Sequence, residues 1–396
     1  YDGSRVNNLK KSIPPIYEPD LSETIKDGQD KGILKFSDNI KDLNECDFIF
    51  LSYDTPVRED DSSDTAVLEN AVNDVRGVMK DHSVLLVSSQ SPVGFCNSLR
   101  GMLKEKNNTL DLAYSPENLR LGEAINCYLD PGRIILGTAQ TDTEEKCITL
   151  FSQINADILK MNLESAEMVK HGINSFLAMS IVFANHLADI CEMKGARITD
   201  VIEGMKSDPR IGKKAYLAPG IGFSGGTLGR DLQVLNNANK QGHGAARIFG
   251  YVHTQNNERK DVIIKRLEKL LGGFNGKTIG VLGLTYKPGT STLRRSLPVE
   301  IVKQFSEKGA IVKVFDPKAD YKELEFTPFF SIANNIVELA ESTDALILLT
   351  EWQNFKEFNW AEIPARMRRS IFFDTKNFLD ERAMSAFGFQ YHSIGR

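Results

Sequence analysis

Lys170 and Asn174, four residues apart in "EMVKHGINSF" (167–176), are of types that can do chemistry together. In a helix that spacing sets both side chains on one face. Lys170 has Met168, Val169 and Ile173 as sequence neighbours, and a lysine against apolar surface can lose basicity and serve as acid or base. An exposed lysine beside an asparagine that caps nothing would show the same spacing. The second candidate is "GFSGGTLGRDL" (222–232), where Gly222, Gly225, Gly226 and Gly229 surround Ser224, Thr227 and Arg230. Glycines at that density let backbone approach a ligand closely, though a tight helix–helix connection uses them equally. Thr227 stands where such a loop can carry a nucleophile, and Asp231 opens the next helical pattern as a site residue or a dipole partner. "YSPENLRLGEA" (114–124) offers Glu117 and Arg120, or simply a Ser-Pro helix start with solvated charges. Lys287, Arg294 and Lys376 follow strand-like runs, where open α/β sheets hold phosphates. Gly280 and Gly283 lack the full G-x-G-x-x-G spacing, and no two of the 6 histidines have metal or triad spacing, so no metal is expected.

Apolar runs outline the scaffold. "CDFIFLSYDTP" (46–56), "SVLLVSSQSPVG" (83–94) and "GRIILGT" (132–138) read as buried strands, with a helical pattern over 62–80 between the first two. Residues 164–194 form one long helical pattern, apolar at Met168, Phe176, Leu177, Ile181, Phe183 and Leu187, and further helical patterns run to about 271. Strands return at "GKTIGVLGLTYKPGT" (276–290), "AIVKVFDP" (310–317), "TDALILLTEW" (343–352) and "SIFFDTKN" (370–377). The fold class is α/β, with helices in the middle and a cleft expected between two nucleotide-binding-type sheets. At 396 residues, 41% hydrophobic and 26% charged, the chain has the size and composition of a two- or three-domain globular protein. A net charge of −5 with dispersed Lys and Arg argues against a nucleic-acid partner. No apolar run reaches the ~18 residues that a membrane span needs. The 5 cysteines, odd in number and without CxxC spacing, favour reduced thiols in a cytoplasm.

Together these segments resemble the UDP-glucose/GDP-mannose dehydrogenase family over essentially the whole chain. The resemblance rests on "PPIYEPDL" (14–21), "DTP" (54–56), "SPVG" (91–94), "SPENLRLGEA" (115–124), "EMVKHGINSF", "SDPRIG" (207–212), "GLTYKPGTSTLRRS" (283–296), "VFDP" (314–317) and "LLTEW" (348–352), in the family's order. It implies two Rossmann-like doubly wound parallel sheets joined by a helical middle domain with a long central helix. The implied domains are an NAD-binding domain over 1–160, a central dimerisation domain over 161–271 and a UDP-binding domain over 272–396. The family oxidises C6 of a nucleotide-linked hexose twice, using NAD. By resemblance, Lys170 and Asn174 handle the proton and the developing oxyanion, Glu117 is the acid/base carboxylate, and Asp231 follows the catalytic loop. Asp2, Thr55, Gln90 and Arg230 are implied on the cofactor side. Arg210, Gly222, Gly225, Lys287, Arg294 and Lys376 are implied on the substrate side, Arg210 reaching a partner subunit's substrate. A UDP-hexose substrate and a homodimer through the long helix follow on the same ground, with no membrane partner.

Three departures modify this expectation. The given sequence opens on Tyr1-Asp2 without the family's first strand and G-x-G-x-x-G loop, so a fragment is expected. The family's G-G-S-C-F-P-K-D loop reads from Ser224 to Asp231 with Thr227 in place of the nucleophilic cysteine. Its S-T-V-P-V-G-T reads "SSQSPVGF", which puts Gln90 at a threonine position. A thiolate is readily formed and a threonine alkoxide is not. Lys170-x-x-x-Asn174 is also similar to the wider 3-hydroxyacid and 6-phosphogluconate dehydrogenases, which transfer one hydride without a cysteine. The expectation is an NAD-dependent oxidoreductase limited to two-electron oxidation or redox epimerisation. The alternative is a catalytically silent nucleotide-sugar binding protein that partners an active paralogue.

Overall fold

The computed structural model of the chain describes residues 3–16, 18–53, 55–56, 63–117, 119, 122–224, 226–237, 247–324 and 329–396. Asp2, Arg120 and Gly225 therefore lie outside the described residues. The chain divides into two compact units, Tyr1–Ile173 and Asn174–Arg396.

The first unit is built on strands β1 (Phe48–Leu51), β2 (Val84–Val87), β3 (Asp111–Tyr114), β4 (Ile134–Thr138) and β5 (Ile158–Met161), adjacent in that order. Neighbours run parallel except β3 and β4, which pair antiparallel through Ala113–Thr138 and Tyr114–Gly137. Every residue of β2, β3 and β4 is buried, the pattern of strands covered on both faces. One face packs Leu85, Val87, Leu112 and Tyr114 against Leu68, Val72, Leu99 and Leu103 of flanking helices and Leu163 and Ala166 of the long helix. The other packs Val84, Leu86, Ala113 and Leu136 against Cys147 and Phe151. Gly137 lets the long helix lie close, because a Cβ there would fall 2.7 Å from the Ala166 side chain.

The second unit carries β6 (Thr278–Leu282), β7 (Ile311–Phe315), β8 (Ser331–Ile332), β9 (Ala345–Leu348), β10 (Ile371–Asp374) and β11 (Gln390–Ser393). All pairs are parallel, in the order β8-β7-β6-β9-β10-β11. The order reverses between β6 and β9, and ligands of such sheets bind outside the strand C-termini at that switch point.

The long helix runs Leu163–Lys194, 32 residues, or about 48 Å at 1.5 Å per residue. Its apolar positions divide between two faces. Ala166, Ala178, Ile181, Val182, Ala184, Ala188 and Cys191 are buried, whereas Met168, Phe176, Phe183, Ile190 and Met193 are exposed. Averaged over an 18-residue window this helix is also apolar enough to cross a bilayer. His171, Asn174 and Asn185 interrupt its apolar run.

Candidate active site

In the first unit the long helix turns Glu167, Lys170 and His171 toward the loops that leave the sheet. Lys170 Nζ donates to the Glu117 carbonyl oxygen at 2.6 Å and lies 3.9 Å from Glu117 Oε1, with its side chain 11% exposed. Glu117 is brought there by the loop after β3, which is tied to the loop after β2 through Ser88 Oγ donating to Ser115 O and Glu117 N donating to Ser88 O. The Glu117 carboxylate accepts from Leu119 N at 2.7 Å. Thr55 and Gln90, beyond the C-terminal ends of β1 and β2, are also in contact: Thr55 Oγ1 donates to Gln90 O at 2.7 Å, and both residues are buried.

The loop that carries Gln90 is fixed from the long helix. Glu167 is fully buried and accepts from Ser91 Oγ (3.2 Å), Gly94 N (2.6 Å) and Cys96 N (2.8 Å). Its carboxylate thus sits at the N-terminus of the helix Phe95–Lys106, where a negative charge is favoured. One turn on, a ring nitrogen of His171 lies 2.8 Å from Ser91 O. Burial, and then the Glu167 charge, pushes the Cys96 thiol well above its ordinary range. Glu167 and His171 escape a reading by residue type, because neither has metal or triad partners in sequence. Their signal is periodicity: 167, 170, 171 and 174 fall on one helical face.

In the second unit Asn174 Nδ2 donates to Asp231 Oδ2 in a very short hydrogen bond, with Asp231 wholly buried and Asn174 8% exposed. Asp231 lies in the first turns of the helix Thr227–Asn237, together with buried Arg230. Thr227 opens that helix and is exposed, while Ser224 Oγ donates to Tyr286 O at 3.3 Å. Gly222 adopts φ +103°, and a Cβ there would meet Asn256 Oδ1 at 2.6 Å. Asn256 holds the next residue at both main-chain groups, accepting from Phe223 N at 2.8 Å and donating to Phe223 O at 3.0 Å. No thiol replaces the missing one in this unit, since its one cysteine, Cys191, is buried in the core.

The cations of the second sheet follow strand C-termini. Lys287 is half-buried after β6, with Nζ 5.7 Å from the centre of the Tyr286 ring. Lys376 follows β10 and pairs with Glu351 at 3.2 Å. Arg294 is exposed. Asp316 directly follows β7. Its Oδ2 accepts from Leu284 N, Thr285 N, Thr285 Oγ1 and Trp352 Nε1, stitching together the loops after β6, β7 and β9. Arg210 stands exposed on its own loop, held at two atoms by Asp208, whose carboxyl it keeps below the usual range.

Models of the UDP-glucose/GDP-mannose dehydrogenase family match the chain in three parts: the NAD binding domain over residues 1–155, the central domain over 164–258 and the UDP binding domain over 280–381. The UDP-glucose 6-dehydrogenase of Rickettsia typhi is 34% identical over 403 aligned residues, covering 100% of this chain and 92% of the relative. A solved UDP-glucose dehydrogenase from Pyrobaculum islandicum superposes with a TM-score of 0.88 at 27% identity, covering 96% of this chain and 88% of that one. A UDP-D-ManNAc dehydrogenase from Pyrococcus horikoshii gives 0.87 at 25% identity, covering 100% and 92%. With all three models matched in order and the Rickettsia typhi relative aligned over the whole chain, the chain belongs to the UDP-glucose/GDP-mannose dehydrogenase family, NAD-dependent dehydrogenases of nucleotide sugars.

Proposed function

We propose that the chain oxidises a UDP-linked hexose with NAD in one two-electron step and does not carry the product on to the acid. The observation behind the proposal is Thr227, an exposed hydroxyl at the start of the helix Thr227–Asn237. A threonine hydroxyl does not form the covalent thioester that a second oxidation uses.

NAD supplies a hydride acceptor when bound. The residues present suit it: Thr55 and Gln90 put a hydroxyl and a carboxamide beyond the C-terminal ends of neighbouring parallel strands, where sheets of this type take such ligands. Arg230 is the cation assigned to the cofactor, and Asp2 is assigned to the ribose. As the sugar C–H leaves as hydride, the alcohol oxygen must lose its proton. Lys170 stabilises the charge that builds on that oxygen. Asn174 offers it the second N–H of an amide whose first N–H is held by Asp231. Glu117, beside Lys170 and about half exposed, takes up the proton and passes it to water. Gly222 and Gly225 let the loop backbone close on the sugar, while Lys287, Arg294 and Lys376 bind the nucleotide. Arg210, presented by Asp208, serves a neighbouring subunit's substrate.

Counting NADH formed per UDP-hexose consumed tests the reading. The expected ratio is one, with an aldehyde as product. A ratio of two with a uronic acid defeats the restriction. Binding of a UDP-sugar with no change in NADH absorbance favours the catalytically silent alternative.

The divisions 1–160, 161–271 and 272–396 are assigned to NAD binding, dimerisation and UDP binding. Phe176, Phe183 and Ile190 recur every seven residues along the long helix, all exposed, and support a homodimer formed through that face. Light scattering should give a dimer mass for the chain and a monomer mass for Phe183→Glu. A cytoplasmic location accords with the free thiols.

A further inference from the structure

The long helix and the helix Arg247–Leu271 enclose a cavity of about 80 Å³ that no residue assigned above to the reaction lines. Two of its walls are polar side chains almost wholly removed from solvent, Asn185 at 3% and Arg259 at 4% exposure. Each has one end in use. Asn185 Oδ1 accepts from Gly220 N at 2.7 Å, and Arg259 Nε donates to Gly220 O at 3.0 Å. Arg259 Nη1 also donates to both oxygens of Asp189, at 2.8 and 2.7 Å. At the other end, Asn185 Nδ2 and Arg259 Nη2 are buried donors without an acceptor among the described residues. Such donors are destabilising unless something accepts from them, and ordered water is the usual answer.

Volume and charge select the occupant. The cavity far exceeds the ~10–15 Å³ that one water requires. Around it Asp189 pairs with Arg259 and Arg266, Glu192 pairs with Arg266, and Glu258 accepts from Gln255, so the surroundings carry no excess positive charge to hold an anion. A neutral acceptor fits, and water is the one at hand.

We propose that this cavity is a water-binding site served by Asn185 Nδ2 and Arg259 Nη2, through which the pair act as positioning residues for the Gly220–Asp231 segment. With both far ends hydrated, the two side chains are fixed while they grip the N–H and C=O of Gly220, two residues before Gly222. The inference does not depend on the reaction proposed above, because its readouts are hydration and backbone protection.

A crystal structure of the unaltered chain, at a resolution that shows ordered solvent, should place water about 2.7–3.2 Å from each donor. A dry cavity, or a protein acceptor on either donor, overturns the water site. Hydrogen–deuterium exchange of the full chain tests the positioning role. Asn185→Asp keeps an oxygen to accept from Gly220 but lacks the Nδ2 donor, and Arg259→Met lacks the Gly220 contact, the Asp189 pair and the Nη2 donor. Each should speed exchange across 220–231 roughly tenfold, the equivalent of one net hydrogen bond, while Thr278–Leu282 stays as protected as before. Unchanged exchange over 220–231 overturns the role, and so does an equal rise in both segments.

Discussion

The loop Ser88–Phe95 of the first unit and the segment Gly220–Phe223 of the second both lead toward a helix, yet different chemistry holds them. The first is organised around one carboxylate, Glu167, which accepts three hydrogen bonds. The second is held by a distributed set of amides and a guanidinium, each pairing main-chain groups as a neighbouring strand would. A charged acceptor at a helix N-terminus makes strong bonds but concentrates them in one side chain. Distributed pairing spreads the loss, and it leaves room for glycines where backbone must come close. The difference suits the roles proposed above for Gln90 and Gly222.

The largest expected effect is at the central carboxylate. Glu167→Ala leaves Ser91 Oγ, Gly94 N and Cys96 N without their acceptor and should cost about 3–5 kcal/mol in urea unfolding. Glu167→Gln keeps one acceptor oxygen and should cost about half of that. If Glu167→Ala loses less than about 1 kcal/mol, the loop is not organised around this residue. Asn256→Ala removes both bonds to Phe223 and should cost about 2–3 kcal/mol; a cost equal to that of Glu167→Ala would erase the contrast. Next comes Gly222→Ala, at about 1–3 kcal/mol, because φ is +103° and the new Cβ meets Asn256 Oδ1. In an Asn256→Ala background that clash disappears and the cost should fall, a coupling that a double-mutant cycle reads directly.

The smallest effect is in pH. The Cys96 and Cys147 thiols are raised in the folded chain, Cys147 to about 12, by burial first and then by Glu167 and Asp111 respectively. A raised folded pKa gives stability that is complete below the unfolded value and lost as pH climbs toward the folded one. The unfolding free energy should therefore fall by about 1 kcal/mol per thiol between pH 7 and 9. Cys96→Ala and Cys147→Ala should each flatten the curve, and a curve they do not alter counts against buried thiols as the cause.

Much of the scaffold is legible in the sequence because buried parallel strands read as continuous apolar runs, as at β2, β4, β6, β9 and β10. β3 is harder: it begins with Asp111, whose burial depends on Arg100 at 2.5 Å and Thr143 at 2.6 Å, partners no local window contains. The Lys170–Asn174 spacing is visible in sequence, but the Asn174–Asp231 contact spans 57 residues and exists only through folding. Phe176 and Phe183 look like core residues in sequence, yet both are exposed. Residue type alone does not separate core from surface; exposure does.

The staple formed by Asp316 has a spectroscopic consequence. The chain has 2 tryptophans. Trp352, whose indole N–H meets Asp316 and Thr285, and Trp360, packed edge-on to Phe372, both belong to the second unit. Intrinsic tryptophan emission therefore reports that unit alone. A fluorescence melt would register the loosening of the loops after β6, β7 and β9 while remaining blind to the sheet β1–β5. Agreement between emission and far-ultraviolet circular dichroism would mean that the two units melt together.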